Sequence, residues 1–228
     1  KNNKHDETTI SDNTPRHLYQ DPSGRMWIGT YKNGLNEYVA GMESMKYIEV
    51  GDINTVCEDN HGNYWIGSND AGILVYDPKK GEVVAHYTKD NSGLAGNIMV
   101  GSFPASDGTV WFGSYNGGLS HCIPLGGDPT RVQVVNYQSA PGGLANNSVW
   151  ALTEDKWRRI WFTTLGGGLQ MLDPKTNKFA TWNTKNSTLP SDYMTSVEWT
   201  KKGWLLTGTS YFYSLVNPVS MQLVSRTL

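Results

Sequence analysis

Glu58-Asp59-Asn60-His61-Gly62-Asn63-Tyr64-Trp65-Ile66-Gly67-Ser68 has the form of a tight turn feeding a short strand. The Asp59 side chain is placed to accept bonds from nearby backbone N–H groups, and Gly62, three residues on, supplies positive φ. Tyr64-Trp65-Ile66 is an aromatic and β-branched run that favours strand. The pattern recurs along the chain. Trp27-Ile28-Gly29-Thr30, Trp111-Phe112-Gly113-Ser114 and Trp161-Phe162-Thr163-Thr164 superimpose on Trp65-Ile66-Gly67-Ser68. Leu206-Thr207-Gly208-Thr209 is a degenerate fifth copy, its tryptophan displaced to Trp204. Successive copies are 38, 46, 50 and 45 residues apart, the length of one supersecondary unit of four strands.

Further landmarks keep the same offsets. Gly34, Gly72, Gly118 and Gly168 follow the strand, and Leu35, Ile73, Leu119 and Leu169 follow the glycines. Asp21, Asp59 and Asp155 stand six residues before the tryptophan, with Ala105 and Thr200 in the other copies. Gly24 and Gly62 complete the turn after the aspartate, whereas the fourth copy has Arg158 there. Asp77-Pro78 and Asp173-Pro174 close a later strand. The second copy reads as strands over 53–58, 63–68, 72–76 and 82–87, and the fourth as strands over 149–154, 159–164, 168–172 and 178–182.

Units of this kind cannot bury both faces alone and must stack about a common axis. The fold class is therefore all-β: a β-propeller of four-stranded antiparallel blades, with five repeats in this chain. Residues 1–14 read as an N-terminal extension and 15–228 as repeats, with approximate blades 15–50, 51–96, 97–146, 147–192 and 193–228. Trp27, Trp65, Trp111 and Trp161 are assigned to the blade core, each burying on the order of 200 Å² between blades.

Composition narrows the function classes. Charged residues are 18% of the chain and its net charge is −2, so no electrostatic footprint for nucleic acid is expected. The one dense basic patch, Lys156 with Arg158 and Arg159, falls in a predicted turn and reads as a solvated face. Cys57 and Cys122 occupy different repeat positions and suggest neither a disulfide framework nor a metal site. No stretch approaches the ~20 apolar residues of a membrane span, so this segment is expected to make no membrane contact. A chain that begins at Lys1 rather than Met reads as an excised portion of something longer.

The order of a hydrophobic strand, Glu-Asp-x-x-Gly-x-x-Trp-Ile-Gly-Thr, Gly-Gly-Leu and Tyr-Asp-Pro resembles the two-component regulator propeller repeat, over residues 15–228. The resemblance implies a larger, seven-bladed ring that these five blades would help to build, with a smaller ring as the alternative. It implies the ligand-sensing, periplasmic segment of an inner-membrane hybrid two-component histidine kinase, of the kind abundant in gut Bacteroidetes, where many respond to polysaccharide fragments. The expected partners on that basis are an oligosaccharide ligand, the remaining propeller and signalling domains, and a second copy in a homodimer. The kinase module would lie elsewhere in the full-length protein. No cofactor is implied.

Alternating strand directions put the loops between second and third strands on the same face as the connections between blades, and the Asp-x-x-Gly turns on the other. The first face is the expected ligand surface. Its loops carry Tyr31-Lys32-Asn33, Asn69-Asp70, Tyr115-Asn116 and Ser210-Tyr211-Phe212, and His17 and Trp150 stand near the starts of their first strands. Aromatic rings beside amide, carboxylate and ammonium groups suit sugar rings and their hydroxyls. No catalytic or metal site is expected. His5, His17, His61, His86 and His121 fall at unrelated repeat positions, and there is no phosphate loop, serine elbow or His-x-x-x-His pair. The alternatives are a glycosidase or lyase propeller and a protein-interaction scaffold. Ile160-Trp161-Phe162-Thr163-Thr164 also resembles the streptogramin-lyase repeat, which would require a magnesium-supported histidine and carboxylate cluster. Asp70, Asp107 and Glu154 are carboxylates that a ring could gather.

Overall fold

A computed structural model describes residues 3, 6, 8–39, 44–209 and 211–227. The first blade comprises β1 (Pro15–Gln20), β2 (Met26–Thr30), β3 (Leu35–Val39) and β4 (Ser44–Ile48). The second comprises β5 (Ile53–Glu58), β6 (Tyr64–Ser68), β7 (Ile73–Asp77) and β8 (Glu82–Tyr87). The third comprises β9 (Met99–Pro104), β10 (Val110–Ser114), β11 (Gly118–Leu125) and β12 (Asp128–Tyr137). The fourth comprises β13 (Val149–Glu154), β14 (Ile160–Thr164), β15 (Gly168–Asp173) and β16 (Lys178–Trp182). The fifth comprises β17 (Ser196–Trp199), β18 (Leu205–Gly208), β19 (Phe212–Val216) and β20 (Leu223–Thr227). Every strand pairs with its sequence neighbours, so each sheet is a four-stranded antiparallel meander. The described residues include no helix long and apolar enough to cross a membrane. His5 and Ser210 lie outside the described residues.

Strand register decides which side chains meet the next blade. Cys57, Trp65, Val75 and Ala85 are cross-strand partners on one face of the second blade, and Val56, Ile66, Leu74 and His86 share the other. The first face packs on Val110, Phe112 and Cys122 of the third blade. Tyr64, Ile66 and Tyr76 on the second face pack on Trp27 and Leu35 of the first blade. Trp27, Trp65, Trp111 and Trp161 are all fully buried, each in the wedge toward the following blade. Cys57 and Cys122 are free thiols buried in one cluster, and burial pushes the Cys57 thiol up to about 12.

Two features of the repeat now have a physical basis. The turn aspartate does more than shape its turn. Asp59 Oδ1 accepts the backbone N–H groups of His61 and Asn63, and its Oδ2 accepts the buried Trp65 indole at 2.8 Å. Asp21 and Asp155 hold Trp27 and Trp161 in the same way, at 3.3 and 2.9 Å. The glycine two residues after the tryptophan is a close-approach position. A Cβ on Gly67 would stand 2.8 Å from Met99 Cβ, and one on Gly113 would meet the Val149 carbonyl. The missing side chain thus lets the next blade's first strand lie against the second strand of the blade before it.

Successive first strands pack β1 on β5, β5 on β9, β9 on β13 and β13 on β17, placing these five strands innermost. Among the described residues β17 and β1 are not packed in this manner, and the terminal faces are open. Leu18 is 66% exposed where its second-blade equivalent Val56 is 3% exposed. Leu206, at the position of the buried tryptophans, is 37% exposed. Residues 8–14 run along the first blade as the connector at 143–147 runs along the fourth. The Ser11 N–H donates to Asn36 Oδ1 at 2.9 Å, as the Ala145 N–H donates to Gln170 Oε1 at 2.8 Å.

Candidate functional site

Five residues before each turn aspartate, or before Ala105 and Thr200 in its place, stands one residue near the start of a first strand. These are Arg16, Asn54, Val100, Trp150 and Thr195, one per blade. All five line a single cavity of about 620 Å³ where the innermost strands converge. The following position adds His17, Thr55, Gly101 and Ala151. Asn69 and Tyr115 close the mouth from the β6–β7 and β10–β11 loops. The wall is therefore built from the positions at which one blade differs from the next. The architectural residues of the repeat stay outside it.

Local bonding fixes this wall. Asn54 Nδ2 donates to the Met99 carbonyl at 3.0 Å and to Asn69 Oδ1 at 3.4 Å, joining the second and third blades under the mouth. The Thr55 and Ser102 hydroxyls are 2.7 Å apart, one donating to the other. A side chain on Gly101 would strike the Trp150 carbonyl, so glycine there lets β13 approach β9 and brings the Trp150 ring to the cavity. His17 Nε2–H donates to the Val56 carbonyl at 3.1 Å, and burial lowers its pKa, so the ring is neutral at pH 7. Arg16 brings a cation to the rim, with its guanidinium 4.6 Å from the centre of the Tyr31 ring.

Of the residues singled out from sequence, His17, Asn69, Tyr115 and Trp150 come together at this cavity. Tyr31, Lys32, Asn33, Asp70, Asn116 and Tyr211 do not line it. Tyr31 sits beside it through Arg16. Asn33 Nδ2 is used on the Ser11 carbonyl, and Asn116 bonds Ser148 while holding a φ of 62°. Lys32 and Asp70 are exposed, and Tyr211 is 79% exposed. Arg16, Asn54, Thr55, Val100, Ser102 and Thr195 were missed. The signal was present as the offset from the turn aspartate, which singles out the residue that varies at a fixed register.

The cavity offers flat aromatic faces, neutral donors and acceptors and one guanidinium. Among the described residues no three His, Cys, Asp or Glu side chains gather into a metal-binding group. Asp107 and Glu154 lie in and beside the turns of the opposite face, where Glu154 Oε2 accepts the Ser106 N–H at 2.9 Å, so the ring does not gather them with Asp70. The basic patch read as solvated is so only in part: Arg159 Nε is 2.6 Å from Asp155 Oδ2, and its Nη2 donates to the Pro218 carbonyl at 2.8 Å.

Residues 9–32, 48–70 and 143–166 match the two component regulator propeller family. Each segment runs through the first two strands of a blade; the second starts at the end of β4, the third in a connector, and the first within the stretch read as an extension. No curated protein matches the chain. Among solved structures, the extracellular domain assigned to the hybrid two component system BT3049 of B. thetaiotaomicron superimposes with a TM-score of 0.81 at 21% identity, over 95% of this chain and 29% of that one. The extracellular domain assigned to the hybrid two component system BT4673 of the same organism gives 0.80 at 19% identity, over 96% and 31%. Virginiamycin B lyase from Staphylococcus aureus gives 0.75 at 13% identity, over 94% and 70%. The chain thus spans about a third of the length of the two ectodomains, and at these identities the likeness is one of fold.

Proposed function

We propose that these two component regulator propeller repeats form part of a ligand-sensing ectodomain, and that the cavity between the innermost strands takes a segment of an oligosaccharide. The carrying observation is the convergence of Arg16, Asn54, Val100, Trp150 and Thr195 on one cavity, at the register position where blades otherwise alike differ. The Trp150 and Tyr115 rings offer stacking faces, and Asn54, Thr55 and Ser102 offer hydroxyl partners, a combination suited to a sugar. On this proposal the chain works outside the cytoplasm, in the periplasm, as the sensor segment of a hybrid two-component histidine kinase whose catalytic modules lie elsewhere. The open faces carrying Leu18 and Leu206 are then covered by further blades of a larger ring.

A thermal-shift screen against a panel of neutral and acidic oligosaccharides tests this. A ligand at a hundredfold excess over its Kd adds about 2.7 kcal/mol, which raises Tm by roughly 5–10 °C in a domain of this size. A panel without a shift overturns the sugar-sensor reading in favour of a protein-interaction scaffold. The fold shared with virginiamycin B lyase supports a second reading, a propeller lyase. Turnover of an oligosaccharide or a cyclic depsipeptide would establish it against the sensor.

A further inference from the structure

The face opposite the proposed sugar cavity carries a second cleft, between the fourth and fifth blades, of about 490 Å³. Trp157, Trp199 and Trp204 line it, with Lys156, Lys202 and Glu154. Trp157 and Trp199 are not repeat residues, and Trp204, read as the displaced repeat tryptophan, stands two residues before the repeat position, which Leu206 holds. In the other blades Trp157 is replaced by Ser23, His61, Asp107 and Lys202, and Trp199 by Gln20, Glu58, Pro104 and Glu154. Trp204 is replaced by Arg25, Asn63, Thr109 and Arg159. At each of these positions the other four blades do without a Phe, Tyr or Trp ring, so the blade architecture does not account for three tryptophans meeting at one cleft.

The turn that presents Trp157 departs from the repeat a second time. Gly24, Gly62, Gly108 and Gly203 end the equivalent turns at φ of 74–88°, whereas Arg158 holds a φ of 67° despite its side chain. A non-glycine residue in that region carries strain that surrounding contacts must offset. Trp157, at the tip, is 41% exposed. The cleft walls are fixed by bonds across the blade boundary. Trp199 Nε1–H donates to the Glu154 carbonyl at 2.9 Å, and Arg159 joins Asp155 to the Pro218 carbonyl. Arg159 also lies 4.6 Å from the centre of the Trp157 ring, and Lys156 Nζ covers the same ring at 4.6 Å.

We propose that this cleft is a second binding site, for a uronic acid residue of an acidic saccharide. Two needs of the cleft select that class. The indoles need a flat apolar partner, which the C–H face of a pyranose supplies. Among the described residues Lys156 and Lys202 have no carboxylate partner within ion-pair distance, which favours an anion and disfavours a quaternary ammonium. Glu154 meets the cleft edge through its backbone carbonyl, which accepts the Trp199 indole, while its carboxylate is turned to the third blade and accepts the Ser106 N–H. A uronic acid pyranose combines an apolar C–H face and a carboxylate in one ring. Its arrival gives Lys156 a partner other than the Trp157 ring and uncovers the indole for stacking.

The test is a titration of the protein with trigalacturonate, followed by tryptophan fluorescence and calorimetry, beside its neutral methyl ester and inorganic sulfate. Saturable binding is expected, with the ester and the sulfate each weaker by about tenfold or more. Trp157→Ala and Lys202→Glu, both at an exposed turn, each weaken trigalacturonate by about tenfold, with circular dichroism unchanged. Asn54→Ala in the first cavity leaves this binding as it was, so the two sites fail separately. Absence of saturable binding at millimolar trigalacturonate overturns the proposal. So does equal affinity for the ester, equal affinity for sulfate, or indifference to Trp157→Ala and Lys202→Glu together.

Discussion

The Trp65 indole Nε1–H donates to Oδ2 of Asp59 at 2.8 Å, with both side chains buried. The hairpin turn and the wedge between blades are therefore one unit. In the third blade, where Ala105 replaces the aspartate, Trp111 instead stacks on His121 with ring centres 3.9 Å apart. Asp59→Ala strands two backbone donors and a buried indole N–H together, and is expected to destabilise the fold by about 2–4 kcal/mol. Asp107→Ala, at the exposed tip of the third blade's turn, is expected to cost less than about 1 kcal/mol. Denaturant midpoints of the two variants check the difference.

Gly67 is expected to resist even the smallest side chain. Its added Cβ would stand 2.6 Å from Thr55 Cγ2 and 2.8 Å from Met99 Cβ, so Gly67→Ala forces the second and third blades apart. A loss of about 1–3 kcal/mol follows, as for other overpacked cores, and thermal melts read it directly. Trp65→Ala at the same boundary opens a void instead and is expected to lose about 3–5 kcal/mol.

The buried imidazole of His121 makes stability depend on pH. Burial lowers its pKa to about 4, outweighing the attraction of Asp107, and its Nε2 has no hydrogen-bond partner among the described residues. The ring is neutral in the fold, while the unfolded chain takes up a proton at the ordinary value near 6.5. The unfolded state therefore binds more protons between these values, and stability falls as pH drops from 6.5 toward 4. His121→Gln is expected to flatten that slope in urea melts run between pH 7 and pH 5. This range stays above the region where Asp21 contributes. Burial would raise the Asp21 carboxyl, but bonds from Ser23, Tyr64, the Arg25 N–H and Trp27 hold it well below the ordinary value.

The repeat was legible because its landmarks are architectural. Strand ends in the second and fourth blades lie within one residue of the positions read from spacing, and the core tryptophans stand where the alignment puts them. The cavity was legible only in part. Loop residues such as Tyr211 and Asp70 have the chemistry of a sugar site, but a loop's reach toward the axis depends on its path, which sequence does not show. Val100 and Thr195 are chemically inconspicuous, and only their register marks them. The cleft below was hidden for a related reason: Trp157 and Trp204 are 47 positions apart and meet only when two blades are set side by side.

The account turns on the axial cavity, and calorimetry of the saccharide selected by the thermal screen tests it most directly. Trp150→Ala and Asn54→Ala are each expected to weaken binding by about tenfold, while Tyr211→Ala on the exposed loop leaves Kd unchanged. Binding indifferent to Trp150 and Asn54, or lost on replacing Tyr211 alone, would contradict it.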